Sequence, residues 1–309
     1  MNIVFFGSPA SALPPLQALL DAGHHIPLIF TQPDRPSGRG KKTTASPVKR
    51  FADEYGIPTC QPRRIRKDAE ALERLKAAAP DLNVVAAYGQ IMPDSIIYQP
   101  RYNSLNIHYS LLPCYRGASP VQWALLNGEV KTGVTLFELN AGMDEGDIYA
   151  MEATPIQPHE NADDLEQRLT AIGTRLLIRT IASIDTIKPR LQNHDEATYA
   201  PLIKKEDGRI DWSRSAERIA DQIRAFTPWP SSFCFYEETR LKIIKGRALP
   251  AKGEGDPGVV TAFRQEGIEV ACGGNTFFLI ETIQPEGKKA MTARAYTLGA
   301  RLLPGHQFH

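Results

Sequence analysis

The sequence of 309 residues predicts an α/β protein with two domains: a parallel β-sheet covered on both faces by helices, then a small antiparallel β-barrel. Three observations carry this reading. Short apolar runs alternate with helical patterns from residue 2 to residue 108. Residues 188–208 are polar, hold two prolines and show little periodicity. Beyond them, short strand-like runs recur between turns.

The elements follow in order. The run at 2–7 is apolar and ends in Gly7, as a buried strand does where it opens into a turn. A helix is predicted over 13–23 with Gly23 as its stop signal, then a strand over 26–31. Residues 46–56 form a short helix, with Ser46 as N-cap and Pro47 at the first helical position. A short strand at 57–60 precedes a helix over 68–80, ended by Pro80. Residues 82–89 are apolar on both faces, as a central parallel strand requires, and 104–108 supplies the next strand. The clearest helix is 161–184, where Leu165, Leu169, Ile172, Leu176, Ile181 and Ile184 recur at helical spacing behind an Asn161 cap. The expected boundaries are a catalytic domain at 1–187, a linker at 188–208 and a second domain at 209–309. The second domain opens on a helical entry, 209–226, and continues in strands at 232–237, 240–249, 258–263, 267–273 and 275–285.

Composition excludes several classes. Formal net charge is +1, so no overall field directs the chain to nucleic acid or membrane, and a polyanion must be held by a local patch. No run approaches the ~20 apolar residues of a membrane span, and the first residues lack a basic leader. Cys60, Cys114, Cys234 and Cys272 are scattered, without the paired spacing of a zinc site or a disulfide frame. The expectation is a cytoplasmic protein with reduced thiols and no metal. The turn at 7–15 lacks the glycines of a dinucleotide fingerprint and the lysine of a phosphate loop.

Chemistry concentrates after the 104–108 strand. Asn106 and His108 are two residues apart, so in a strand they project side by side. The strand ends at His108, and ligands of open parallel sheets bind beyond the carboxyl ends of strands. An uncharged amide donor beside an imidazole suits a reaction that builds negative charge on a carbonyl oxygen. The same pair also fits a turn-capping Asn beside a half-exposed His. The acidic loop 140–147, flanked by glycines, offers Asp144 as the group that orients His108 and moves a proton. It lacks the ligand spacing of a calcium loop. Ser110 and Cys114 are the alternative nucleophiles, but neither sits in a nucleophile setting.

One patch breaks the charge balance. Between residues 31 and 50, Arg35, Arg39, Lys41, Lys42, Lys49 and Arg50 face Asp34 alone, a local net charge of +5. Such a segment is either a solvated loop or a grip for phosphates. From 206 to 309 the charge is nearly balanced, with 14 basic and 13 acidic residues, so the second domain is expected to supply backbone contacts and not base reading.

Taken in order, these residues resemble the folate-dependent formyltransferases. The shared pattern is Asn106 and His108, the Ser-Leu-Leu-Pro run at 110–113, Arg116 and Gly117, and the Gly-flanked Asp144. The segments 31–42, 46–49, 85–93, 209–213, 223–230 and 287–291 resemble the branch of that family that acts on aminoacylated tRNA, so the resemblance spans nearly the whole chain. It implies a Rossmann-like catalytic domain and an OB-like second domain. It implies transfer of a formyl group from 10-formyltetrahydrofolate to the α-amine of methionine on initiator tRNA. By the same resemblance Asn106 bonds the developing oxyanion, His108 assists, and Asp144 positions His108 and a proton-carrying water. Ser110, Leu111, Leu112 and Pro113 line the folate site. Arg35, Arg39, Lys41 and Lys42 engage the acceptor stem, Arg39 foremost, with Lys204, Lys205, Lys245, Arg247, Lys288 and Lys289 as weaker contacts. The alternatives are a formyltransferase acting on a small amine, such as a nucleotide or amino sugar, a hydrolase releasing formate from the folate, and a non-catalytic RNA-binding protein on the same scaffold.

Overall fold

The computed structural model describes residues 1–37 and 42–309. Its elements are β1 (Ile3–Gly7), α1 (Leu13–Asp21), β2 (Ile29–Phe30), β3 (Arg35–Ser37), β4 (Lys42–Thr44), α2 (Pro47–Glu54), β5 (Thr59–Cys60), α3 (Ala69–Ala77), β6 (Leu82–Ala86), α4 (Asp94–Ile97), β7 (Ser104–His108), α5 (Pro120–Leu126), β8 (Lys131–Glu138), β9 (Ile148–Pro155) and α6 (Ala162–Ala182). After these come α7 (Ala216–Ala225), β10 (Ser232–Tyr236), β11 (Thr239–Lys252), β12 (Val260–Phe263), β13 (Ile268–Cys272), β14 (Thr276–Pro285), β15 (Met291–Thr292) and α8 (Ala293–Ala300).

The chain forms two compact units. One holds residues 1–118, 131–155 and 166–200, the other 119–130, 156–165 and 201–309. This division differs from the expected boundaries at 187 and 208. Residues 188–200 are not a linker but a strap on the first unit. They lack periodicity because distant loops hold them: Arg190 and Ile148 exchange both backbone hydrogen bonds, Arg116 N–H donates to Thr198 O at 2.8 Å, and Ala200 N–H donates to Arg116 O at 2.7 Å.

In the first unit a seven-stranded sheet runs in the order β5-β2-β1-β6-β7-β8-β9. The first five strands run parallel, β8 pairs antiparallel with β7, and β9 pairs antiparallel with β8. Those last two strands were not foreseen by the strand–helix alternation, and they turn the expected parallel sheet into a mixed one. β1 and β6 are buried along their whole length, which is why they read as continuous apolar runs. Asn83 is the polar exception in β6. Its Nδ2 donates to Ile96 O at 2.9 Å and Ser104 Oγ at 3.0 Å, tying α4 and β7 to the middle of the sheet. Ser46 caps α2 as expected, accepting from Lys49 N at 3.0 Å. Residues 166–182 of α6 press on the sheet at Gly173, where an added Cβ would lie 2.9 Å from Ile107 and 3.2 Å from Val134. One face of β7 is therefore covered by helix, and Asn106 and His108 project from the other.

In the second unit β10-β11-β14-β13-β12 form an antiparallel sheet, extended by β15 on β14. The two end strands are joined through residues 305–309. Val260 N–H donates to His306 O and Phe308 N–H to Gly258 O, while Phe235 and His309 exchange both backbone bonds. Main-chain bonds on both sides of that segment close the sheet into the expected barrel, which removes its exposed edges. The core draws Trp212, Ile219 and Ile223 against Leu241, Val270, Phe278 and Ile283. Among the described residues no helix is long and apolar enough to cross a membrane.

Candidate active site

β7 ends at His108, and the imidazole beyond it is 5% exposed. Two loops fix it. Nε2 lies 2.9 Å from the carbonyl oxygen of Tyr115. A carbonyl only accepts, so this nitrogen carries the proton of the neutral ring. Nδ1 then turns its lone pair towards Asp144 Oδ2, 3.7 Å away. Burial holds the pKa of His108 below the ordinary imidazole value, against the opposing pull of the Asp144 carboxylate and the Tyr115 carbonyl. Phe137 stands edge-on to the ring at 6.1 Å and walls the apolar side.

Asp144 reaches this position by an indirect route. Glu138, at the end of β8, is opposite Leu105 near the start of β7, because the two strands are antiparallel. The 139–147 loop must return about 10 Å along the sheet to bring Asp144 to His108. Asp144 has φ +53°, and Tyr115 has φ +62°, conformations that L residues seldom adopt. Both strained residues flank the imidazole, one through its carboxylate and one through its carbonyl. The two loops are also tied directly, Gly117 N–H donating to Asp144 Oδ2 at 2.8 Å.

Asn106 is the one residue of β7 that is not buried. It is paired with Val85 and Phe137 through the main chain, and its carboxamide makes no hydrogen bond to any described residue. Beside it His108 has Nε2 held on Tyr115 O, and its Nδ1 faces the Asp144 carboxylate without a hydrogen bond. The arrangement offers free amide donors to an incoming oxygen and a proton acceptor, at His108–Asp144, held one residue pair away on the same face.

The remaining expected residues fall into different settings. Ser110 is fully buried and its Oγ donates to Cys114 O at 2.6 Å, while Leu112 packs with Phe137 and Ile148. Both hold the 110–113 turn from behind, and Thr135 completes the hold: Leu112 N–H donates to Thr135 Oγ1, which donates to Ser110 O. Leu111 and Pro113 are the partly exposed members. A serine so committed is not a free nucleophile. Tyr109 points to the helical face, where its hydroxyl meets Thr170 Oγ1 at 2.9 Å, and burial pushes its pKa up to about 12.

Of the basic segment, Arg35 opens β3 and donates to Gln32 Oε1 at 2.9 Å. Gln32 in turn donates to Tyr88 O, anchoring the start of the segment to the loop after β6. Arg39 and Lys41 lie outside the described residues, and Lys42 is described only by its place in β4. Lys49 pairs with Asp53 and Arg50 donates to Ala45 O at 2.7 Å, so both serve α2 and its approach. Among the described residues no group of three or more His, Cys, Asp and Glu side chains could hold a metal ion.

Residues 1–181 match the family described as formyl transferase, and residues 202–301 match the formyl transferase C-terminal domain. The chain belongs to the formyl transferase family. Within the family, methionyl-tRNA formyltransferase of Geotalea uraniireducens is 44% identical over 307 residues, covering 99% of this chain and 97% of that protein. The corresponding enzyme of Alkaliphilus oremlandii is 42% identical, covering 99% of both chains. Among solved structures, methionyl-tRNA formyltransferase from Clostridium thermocellum superposes with TM-score 0.56 at 20% identity, covering 80% of this chain and 92% of that one. An N-formyltransferase from Helicobacter canadensis, solved in complex with folinic acid and dTDP-3-aminofucose, gives TM-score 0.65 at 20% identity and covers 90% and 98%. At that identity these two structures speak to the fold alone. The family match fits the architecture described above, a Rossmann-like mixed sheet followed by an OB-like barrel.

Proposed function

We propose that this formyl transferase moves the formyl group of 10-formyltetrahydrofolate to the α-amine of methionine esterified to initiator tRNA, in the cytoplasm at translation initiation. The observation that carries the reading is the free carboxamide of Asn106 beside the anchored His108–Asp144 pair, in a chain that matches methionyl-tRNA formyltransferases from end to end. The folate supplies the one-carbon unit. A neutral amine attacks the formyl carbon unaided, so no covalent enzyme intermediate is needed, and the protein must align two substrates and hold the charge that develops.

Asn106 donates to the formyl oxygen as it becomes an oxyanion, an interaction stronger in the tetrahedral intermediate than in the planar ground state. The proton lost by the attacking nitrogen passes, directly or through one water, to Nδ1 of His108, where Asp144 stabilises the imidazolium. As the intermediate collapses, the bond from the formyl carbon to N10 breaks while that proton returns to N10, so tetrahydrofolate leaves as the neutral amine. Nε2, held on Tyr115 O, keeps the ring from turning. The turn 110–113 forms a wall of the folate site, with Leu111 and Pro113 presented and Ser110 and Leu112 bracing them. Arg35, Arg39, Lys41 and Lys42 contact the phosphates of the acceptor stem, which supplies affinity that weakens with salt.

The test is formyl transfer from 10-formyltetrahydrofolate to methionyl initiator tRNA, run beside methionyl elongator tRNA, a nucleotide-linked amino sugar and no acceptor. The proposal expects transfer to the initiator species. Transfer only to the amino sugar, or formate release alone, contradicts it.

A further inference from the structure

Gln192 belongs to none of the motifs that carry the family resemblance, and it lies in the strap that the sequence presents as featureless. It is 6% exposed, and its carboxamide is fully used. Oε1 accepts from Nε and Nη2 of Arg116 at 3.2 and 2.7 Å. Nε2 donates to the carbonyls of Asp144 at 2.9 Å and Gly146 at 2.7 Å.

The partner on the first side is a buried cation. Arg116 is 2% exposed; its Nη1 is 3.8 Å from Glu145 Oε2 and its Nη2 3.3 Å from His194 Nδ1. A carboxylate in place of Gln192 would meet that charge better than a neutral amide does. What an amide adds is the opposite capacity: it accepts from the guanidinium and donates to two carbonyls at once, which a carboxylate cannot. One of those carbonyls belongs to Asp144, the residue whose carboxylate faces His108 from a left-handed backbone.

We propose that Gln192 is a positioning residue for the proton-accepting pair: its amide N–H groups set the height of the Asp144 backbone, and so the place of Oδ2 against His108 Nδ1, while its oxygen serves Arg116. This inference rests on the functional reading of that pair given above.

Gln192→Glu separates the two halves. The carboxylate keeps an acceptor for Arg116 and removes both donors to the loop. In the full-length chain the expected result is a lowered unfolding midpoint, because a carboxylate oxygen then faces the Asp144 and Gly146 carbonyls, with unchanged KM for both substrates and kcat lower by roughly 10- to 100-fold. Gln192→Met, of similar length and without hydrogen bonds, should show the same loss of kcat with reduced stability. Wild-type kcat in Gln192→Glu would mean that Gln192 serves Arg116 alone, and the proposal is overturned. If the wild type transfers no formyl group, it is the functional reading that fails. The positional claim is then judged by the 15N resonances of the His108 ring, which must move in the neutral Gln192→Met variant, and unmoved resonances overturn it.

Discussion

Gly117 links the two anchors of the His108 imidazole, which makes its substitution a sharp test of the loop geometry. Its N–H bonds the Asp144 carboxylate, and two residues earlier Tyr115 supplies the carbonyl that holds His108. Its φ is +123°, a region that L side chains rarely enter, and an added Cβ would lie 2.7 Å from the carbonyl oxygen of Ala200. That oxygen is backbone, and Ala200 N–H is itself bonded to Arg116 O at 2.7 Å, so no side chain can swing aside. Gly56 provides the control. Its φ is +67°, yet nothing lies within 4 Å of an added Cβ. Gly56→Ala should therefore carry only the left-handed cost, about 1 kcal/mol. Gly117→Ala adds overpacking to backbone strain, about 2–5 kcal/mol in all. The collision also moves the loop by an appreciable fraction of an ångström, and misplacement of catalytic groups by about 1 Å costs on the order of 100-fold in rate. Urea unfolding of both variants and formyl-transfer kinetics of Gly117→Ala measure the two effects. Equal unfolding midpoints for the two alanine variants, together with wild-type kcat for Gly117→Ala, would refute the reasoning.

Two further expectations concern the groups around His108. Tyr109→Phe should cost about 0.5–1.5 kcal/mol in urea unfolding through the lost contact with Thr170, with kcat unchanged because the side chain points to the helical face; a large loss of kcat contradicts that placement. Because burial keeps the pKa of His108 below 6.5 in the folded chain, the unfolded chain binds a proton there that the folded chain does not. Stability contributed by this group is therefore lost as pH falls below 6.5, and His108→Gln should flatten the stability–pH curve of the wild type between about pH 7 and 5. An unchanged slope means the ring is as easily protonated folded as unfolded.

Much of this was legible in the residues. The β7 segment, its period of two and its end at His108 place Asn106 and His108 on one face, and the Ser46–Pro47 start and the Asn161 cap mark their helices. Local patterns of this kind follow from propensity and periodicity. What escaped depends on partners far apart in sequence. β8 and β9 extend the sheet antiparallel, so Asp144 arrives by a loop that doubles back, a route that no local pattern encodes. The 190–200 strap holds one short 3-10 turn, His194–Glu196, and no strand or longer helix, and reads as a linker until its backbone bonds to the 113–117 and 144–148 loops are seen. Gln192 and the Tyr115 carbonyl left no signal for the same reason. Ser110 shows the converse: it stands in a motif, yet its hydroxyl is spent on a turn.

The most direct measurement is single-turnover formyl transfer by Asn106→Ala, with binding of methionyl initiator tRNA and of the folate followed in parallel. The carboxamide has no partner among the described residues to lose, so the fold and both affinities should survive while the transfer rate falls by about 100- to 1000-fold, the usual effect of removing one donor to an oxyanion. A transfer rate within a few-fold of wild type, with both substrates bound, would show that the formyl oxygen is stabilised elsewhere.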